Sequence, residues 1–290
     1  MIKVGFSMHP NWVRGLLSPH TFLDPLRAAG LTALEFELDS NDPNWSEFAP
    51  LMETCRELGY HLCFHAPYRG QRTIAGFADE GGEEMARTLA PLYDVAAQYG
   101  PATIVVHGAK SVPAERSRDL LYADTLAFLD WALDQYPTLT LALENLSPNP
   151  DVIKIGDSRA ELLHIVREIE HPSLGICWDI GHDVGAGRVE APGPLWLRQV
   201  RHVHIHDLND EGQDHFPLMY GHVRPEHWLP PVIRAGFDGV VTLELNGHRC
   251  AFLWPDQIMP ALVNSISAIA DAIRAAEQES SASPKRKPGE

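Results

Sequence analysis

Six short apolar runs in this chain each end on a residue type that binds metal ions. They are CFHAP with His65, VVHGA with His107, LALEN with Glu144, CWDIGHD with Asp179 and His182, HVHIHD with His204, and VTLEL with Glu244. Each run is rich in Val, Ile, Leu or Phe and reads as a buried strand whose polar group sits at the carboxyl end. A buried carboxylate or imidazole is costly unless it is paired or bound to a cation. One such group is readily a satisfied core residue. Six at equivalent strand ends are better explained by a shared metal-centred site at one mouth of a barrel.

Strand and helix patterns alternate along the whole chain. Strands are expected at Lys3–Met8, Ala33–Leu38, His61–His65, Thr103–His107, Thr140–Glu144, Leu174–Asp179, Val200–His206 and Val240–Leu245. Helices are expected at Trp45–Leu58, Glu83–Tyr99, from an Asp157 or Ser158 cap to Glu168, at Trp228–Ala235 and at Asp256–Ala276. This alternation predicts an α/β fold, a single-domain parallel (β/α)8 barrel over residues 1–277. Residues 278–290, QESSASPKRKPGE, read as a disordered polar tail. No GxGxxG or GxxxxGK[ST] follows a strand, which counts against dinucleotide- or P-loop nucleotide-binding folds. The long connection Asp207–Pro225 is of a length that is often functional on a barrel.

The 290 residues carry a net charge of −16, which disfavours nonspecific binding to nucleic acid or anionic lipid. Cys55, Cys63, Cys177 and Cys250 form no CxxC pair, so reduced core thiols are expected rather than a zinc knuckle. No apolar run approaches the roughly 20 residues that span a bilayer, and MIKVGFSM runs straight into a strand. The expectation is a soluble cytoplasmic protein with a small-molecule partner and no membrane partner. The oligomeric state is not legible, and a homo-oligomer is compatible with the sequence.

Side chains alternate faces along a strand. Glu144 shares a face with Thr140 and Ala142, Glu244 with Thr242, and Asp179 with Gly175 and Cys177. Small neighbours suit a crowded barrel interior. His202, His204 and His206 share one face, and parity does not choose among them. We take His204 as the ligand and His206 as its rival and a candidate substrate contact. Glu144, Asp179, His204 and Glu244 form an oxygen-rich donor set suited to Mn²⁺, Mg²⁺, Co²⁺ or Zn²⁺. Adding His65, His107, His182 and His215 makes the set nitrogen-rich and shifts the expectation toward zinc and more than one ion. Tyr68 is a candidate sugar-face contact, and Arg69 and Arg72 are candidates for a phosphate or carboxylate.

Over about residues 2–275 the chain resembles the xylose isomerase-like TIM barrel superfamily, through HAPY (His65–Tyr68), VVHGA, ALEN, WDIGH, HIHD, HFPLMYG and GVVTLEL. That group includes sugar-phosphate isomerases and epimerases, ketose 3-epimerases, dehydroshikimate and inosose dehydratases, and endonuclease IV. In epimerase-like members the residues matching Glu144, Asp179, His204 and Glu244 hold one divalent ion. The two glutamates there act as acid and base around a metal-stabilised enediolate. His182 matches a contact to a substrate hydroxyl. Endonuclease IV uses a three-zinc centre, whose ligands match His65, His107, Glu144, Asp179, His182, His204, His215 and Glu244. One further aspartate ligand falls on Gln213, with Asp214 adjacent. Ketose 3-epimerases carry an arginine six residues after the metal histidine, where this chain has Asp210. The resemblance thus implies a divalent-metal-dependent isomerase or epimerase of a small sugar, sugar phosphate or related polyol or keto substrate. Its alternatives are a zinc abasic-site endonuclease and a metal-dependent dehydratase of a cyclic polyol or keto acid.

Overall fold

The computed structural model describes residues 1–8, 19–38, 45–68 and 74–282. Arg69 and Arg72 lie outside these residues, as does the expected tail beyond 282. Eight parallel strands close into a barrel: β1 (Lys3–Met8), β2 (Ala33–Glu37), β3 (His61–His65), β4 (Ala102–Val106), β5 (Leu139–Glu144), β6 (Leu174–Asp179), β7 (Val200–Ile205) and β8 (Val240–Leu243). Closure is made by β1 against β8, from Lys3 opposite Val240 to Phe6 opposite Leu243. Each strand falls within two residues of its expected bounds, because a β-branched or aromatic run flanked by turn residues is a strong local signal.

The barrel interior is narrow, and small residues fill it. Ala33, Cys63 and Val240 form one buried cluster, and Val105, Ala142 and Cys177 form another. A Cβ at Gly5 would lie 2.7 Å from the Thr242 hydroxyl, so no larger residue fits there. Outward-facing Leu, Ile, Phe and Trp residues pack under the helices in the main hydrophobic core. This is the alternation of small-in and large-out that the strand parity predicts.

The surrounding helices are α1 (Pro19–Ala28), α2 (Trp45–Glu57), α3 (Gly82–Gln98), α4 (Arg118–Gln135), α5 (Arg159–Ile169), the short α6 (Ile180–Gly185) and α7 (Pro194–Leu197), α8 (Pro225–Arg234) and α9 (Pro255–Ala282). Ser158 is the N-cap of α5. Helix α8 starts at Pro225, earlier than expected, since proline at the first helical position lacks only an N–H that would be unbonded anyway. Neither α1 nor α4 was legible. Helix α1 carries an internal Pro25, and in α4 apolar residues run around the helix, with Leu121, Phe128 and Leu129 buried but Leu120 exposed. Helix α9 continues through Ala282, past the tail boundary expected at 278. Its stretch Asp256–Ser280 is long and apolar enough to cross a membrane by length and composition. Here Leu262, Ile266, Ile269 and Ile273 of that stretch are buried, and the helix packs on α8 and α1.

A two-stranded antiparallel ribbon, Lys110–Ser111 with Ile153–Lys154, joins the loops after β4 and β5 at the carboxyl end of the barrel. The expected site residues sit at this same end.

Candidate metal centre

Glu144 closes β5, Asp179 closes β6, His204 lies near the end of β7, and Glu244 follows β8 directly. Parallel register places these ends side by side, with Asp179 opposite His204 and His204 opposite Thr242. One donor atom from each of Glu144, Asp179, His204 and Glu244 lies within 4.8 Å of the others. His204 Nδ1 is 3.3 Å from Glu244 Oε2 and 3.6 Å from Glu144 Oε1. Even so, His204 Nδ1 and Glu244 Oε2 are both buried without a hydrogen-bond partner. Buried polar atoms are rarely left orphaned. A carboxylate-rich set around an orphaned imidazole nitrogen fits a divalent cation such as Mn²⁺, Mg²⁺, Co²⁺ or Zn²⁺.

Glu144 faces two ways. Its Oε1 belongs to the central set, while its Oε2 lies 2.8 Å from His107 Nε2 and 3.3 Å from His65 Nε2. On the far side, His182, His206 and His215 form a third group of converging donors. His215 comes from the long connection, and its Nδ1 lies 3.3 Å from Glu244 Oε2. Its backbone is left-handed, with φ at 61°. Two bonds hold it there: its N–H donates to His206 Nδ1, and its carbonyl accepts from Asn246 N. A strained non-glycine residue that places a donor side chain is the kind of strain found at functional sites.

Burial would favour neutral groups throughout, and the mutual charges overrule it. Burial pushes the Glu144 carboxyl up, but the imidazoles of His107, His204 and His182 carry it well below the ordinary range. Glu244 is likewise held well below, by His204 and His215. Burial opposes charge on His204, yet Cys177, Glu35, Glu244 and Glu144 raise it well above its usual value. His182 is raised to about 10 against its burial, chiefly by Asp179 and Glu144. His65 and His107 share one Glu144 oxygen. Glu144 lifts His65 to about 9 despite burial, whereas burial wins at His107 and drops it to about 4.

The supporting groups explain the motifs. In ALEN, Asn145 clamps the neighbouring strand: its Nδ2 donates to the Asp179 carbonyl at 2.8 Å and its Oδ1 accepts from Asp179 N at 2.7 Å. Its own carbonyl lies 2.9 Å from His182 Nδ1. In WDIGH, Asp179 caps the short α6 through His182 N, and Gly181 lies against the His206 ring, where any Cβ would overlap it. In HIHD, the Asp207 carboxylate accepts five backbone N–H groups, from Leu208, Tyr220, Gly221, His222 and Val223, and so folds the connection that carries His215.

All eight expected ligands converge here, and Tyr68 stands beside His107 with ring centroids 4.7 Å apart. His206, expected as a substrate contact, is fully buried, with Nε2 3.2 Å from Asp179 and Nδ1 accepting from His215 N. Exposed Gln213 turns its side chain to Asn209, whose Nδ2 donates to Gln213 Oε1 at 3.0 Å. Asp214 instead lines the cavity and faces Arg249 at 3.7 Å.

One further residue was not anticipated. Glu35 on β2 is buried beneath the site, 3.0 Å from His204 Nε2 and 2.7 Å from His202 Nε2. By accepting at Nε2, it leaves His204 Nδ1 facing Glu144 and Glu244. Burial raises the Glu35 carboxyl, but His204 and His202 bring it down to about 2. Its signal was present: Glu35 alternates with the apolar Leu34 and Phe36 in a strand already legible, which places its carboxylate on the interior face.

Above the cluster lies a cavity of about 270 Å³ whose walls include Tyr68, His107, Glu144, His182, His215 and Glu244. That is close to the lower end of the roughly 300–1,000 Å³ typical of small-molecule sites. The family model of the xylose isomerase-like TIM barrel matches residues 23–276, most of the described barrel. The chain belongs to the xylose isomerase-like TIM barrel family. An uncharacterized protein of Methanocaldococcus jannaschii is 33% identical over 117 residues, spanning 39% of each chain. A D-tagatose 3-epimerase-like protein superposes with a TM-score of 0.71 at 18% identity, covering 96% of this chain and 99% of that one. An L-ribulose 3-epimerase gives 0.67 at 14%, covering 99% and 100%. The probable 3-DHS dehydratase AsbF of Bacillus anthracis gives 0.61 at 12%, covering 93% and 99%. These structural likenesses show the shared barrel.

Proposed function

We propose that this protein is a divalent-metal-dependent isomerase or epimerase of a small sugar, sugar phosphate or related polyol or keto substrate. The observation that carries the reading is the convergence of Glu144, Asp179, His204 and Glu244 around the orphaned His204 Nδ1. These four residues would hold the ion, which would polarise a substrate carbonyl and its neighbouring oxygen. Glu144 and Glu244 are both held ionised, so either is competent to take a proton from the carbon beside that carbonyl. The other glutamate, once it has taken up a proton from water, would deliver it to the opposite face or the adjacent carbon, while the first glutamate releases its proton to solvent; this completes an epimerisation or isomerisation. Tyr68 and His182 line the cavity and would orient the substrate. The names of the structural neighbours, one a 3-epimerase and one a 3-epimerase-like protein, support this class.

The test is proton exchange. Metal-loaded protein incubated with ketoses, ketose phosphates and sugar acids in D₂O should incorporate deuterium beside the carbonyl, read by NMR. Absence of exchange across the panel, with metal content verified, overturns the reading.

One observation favours a second reading, a zinc phosphodiesterase acting at abasic sites. Glu144 is shared between the central set and the His65–His107 pair, and His182, His206 and His215 form a third donor group, so the site has donors for more than one ion. Against it stand Gln213, a neutral amide turned away from the site, and the net charge of −16. Metal content per chain and cleavage of an abasic-site duplex distinguish the two. A dehydratase would use the same donors and would reveal itself by loss of water from the substrate.

A further inference from the structure

The chain is strongly acidic, yet three cations, Lys110, Lys154 and Arg249, line the same cavity as Glu144, His182 and Glu244. Arg249 is already matched, facing Asp214 at 3.7 Å and stacking over Phe216. The two lysines share one element of the wall. They are directly opposed across the antiparallel ribbon. Like charges directly opposite in a ladder are destabilising. The ribbon is nonetheless fixed to the barrel: Ile155 N donates to the Ala109 carbonyl at 2.9 Å, Ala109 N donates to Thr125 Oγ1 at 3.0 Å, and Arg118 donates to the Lys154 carbonyl at 3.4 Å. The Lys154 ammonium donates to the Ser147 carbonyl at 2.9 Å, leaving further N–H donors on the same group. The Lys110 ammonium sits over the Tyr68 ring at 5.3 Å, beside His107. Burial pushes the Lys154 ammonium below its ordinary value, and Asp214 and Asp157 oppose this from the neighbouring loops.

We propose that the substrate carries an anionic group, a phosphate monoester or a carboxylate, and that Lys110 and Lys154 receive it at the cavity wall while its carbonyl end meets the metal centre. The proposal rests on the isomerase or epimerase reading above. A bound anion relieves the repulsion between the two ammonium groups and gains charge-assisted hydrogen bonds from both. A neutral ketose offers no such compensation.

The test compares matched pairs on the metal-loaded enzyme: D-ribulose with D-ribulose 5-phosphate, and D-fructose with D-fructuronate, by deuterium exchange in D₂O. Inorganic phosphate and acetate serve as competing probes. The anionic member of at least one pair should exceed its neutral partner in kcat/KM by about tenfold or more. Which pair does so, and which probe competes, tells phosphate from carboxylate. Lys110→Met and Lys154→Met should each raise KM for the anionic substrate by roughly tenfold, and Lys154→Arg should recover most of the loss. Circular dichroism melts and metal content check that both variants are folded and loaded. Equal or better turnover of the neutral sugars, unchanged in Lys110→Met and Lys154→Met, overturns the anionic subsite and leaves the isomerase reading standing. No exchange with any sugar, together with cleavage of an abasic-site duplex, overturns both.

Discussion

Asp124 and Glu144 are both carboxylates buried in one barrel, and their surroundings differ in kind. Asp124 accepts Gly76 N at 2.8 Å and Ala78 N at 3.0 Å and is clamped by the Arg116 guanidinium. Asp183 is similar, taking Arg159, Arg188 and the Trp178 indole N–H. Each is fully supplied with donors from fixed groups, which is how a buried charge is made structural. Among the described residues, the Glu144 carboxylate is partnered by imidazoles, several at 3.3 Å or beyond, in a cluster that also crowds Asp179 and Glu244. An acidic group surrounded by permanent cations is satisfied by the fold. One surrounded by titratable imidazoles and other acids is satisfied by whatever binds, and that contrast marks the candidate site more sharply than burial does.

The comparison breaks most readily at the glutamates. Glu144→Gln and Glu244→Gln should each lower kcat by about a thousandfold or more while the melting transition stays near wild type, because proton transfer contributes roughly 10²–10⁴ and metal binding is weakened as well. Near wild-type turnover in both would refute their roles. Chelation should abolish exchange and a divalent ion should restore it; full activity in a sample verified metal-free by elemental analysis contradicts the metal centre. Asp124→Ala should behave in the opposite way, costing about 2–3 kcal/mol of stability by leaving Gly76 N and Ala78 N unpaired and removing one of the two carboxylates that Arg116 bridges, while leaving metal affinity intact. Denaturant melts and metal titration measure the two halves of that statement, and a loss of metal affinity with little destabilisation would erase the contrast.

Smaller effects sharpen it. Glu35→Gln should weaken metal affinity by about 10–100-fold, the usual cost of losing the carboxylate behind a ligating histidine, with a lesser effect on kcat at saturating metal. A competition titration against a chelator reads this directly, and unchanged affinity would remove Glu35 from the site. The smallest expected signal is in pH. His65 and His182, at about 9 and about 10, lie above their ordinary value, so without metal their stabilisation is full below about pH 6.5 and is lost as pH rises through 9 to 10. A cation at the Glu144–Asp179–His204–Glu244 set is repelled by protonated His65 and His182 beside it and needs His204 deprotonated, so its affinity should climb over that window. The gap in melting temperature between loaded and chelated protein should therefore widen from pH 6.5 to 9, and a constant gap would count against proton–metal competition.

Much of the architecture was legible because each barrel strand is a local pattern: an apolar run, a period of two and a polar end. The same parity that placed Glu144, Asp179 and Glu244 inward also held Glu35, but its partners, His202 and His204 on β7, are set by barrel closure and leave no local mark. Helix α4 was not legible because its apolar residues do not form one stripe. The placement of His206 behind Asp179, and of His215 through a left-handed backbone, depends on Gly181 and on the connection folded by Asp207.

By itself, the sequence determined the alternating strands and helices, the inward parity and the donor types at the strand ends, since these follow from periodicity and side-chain chemistry over a few residues. Only the tertiary structure decided which donors meet. It joined His204 to Glu35 across 169 residues and set Lys110 opposite Lys154. Those distances come from barrel closure and from loops folding onto its mouth, which bring together residues that no local pattern relates.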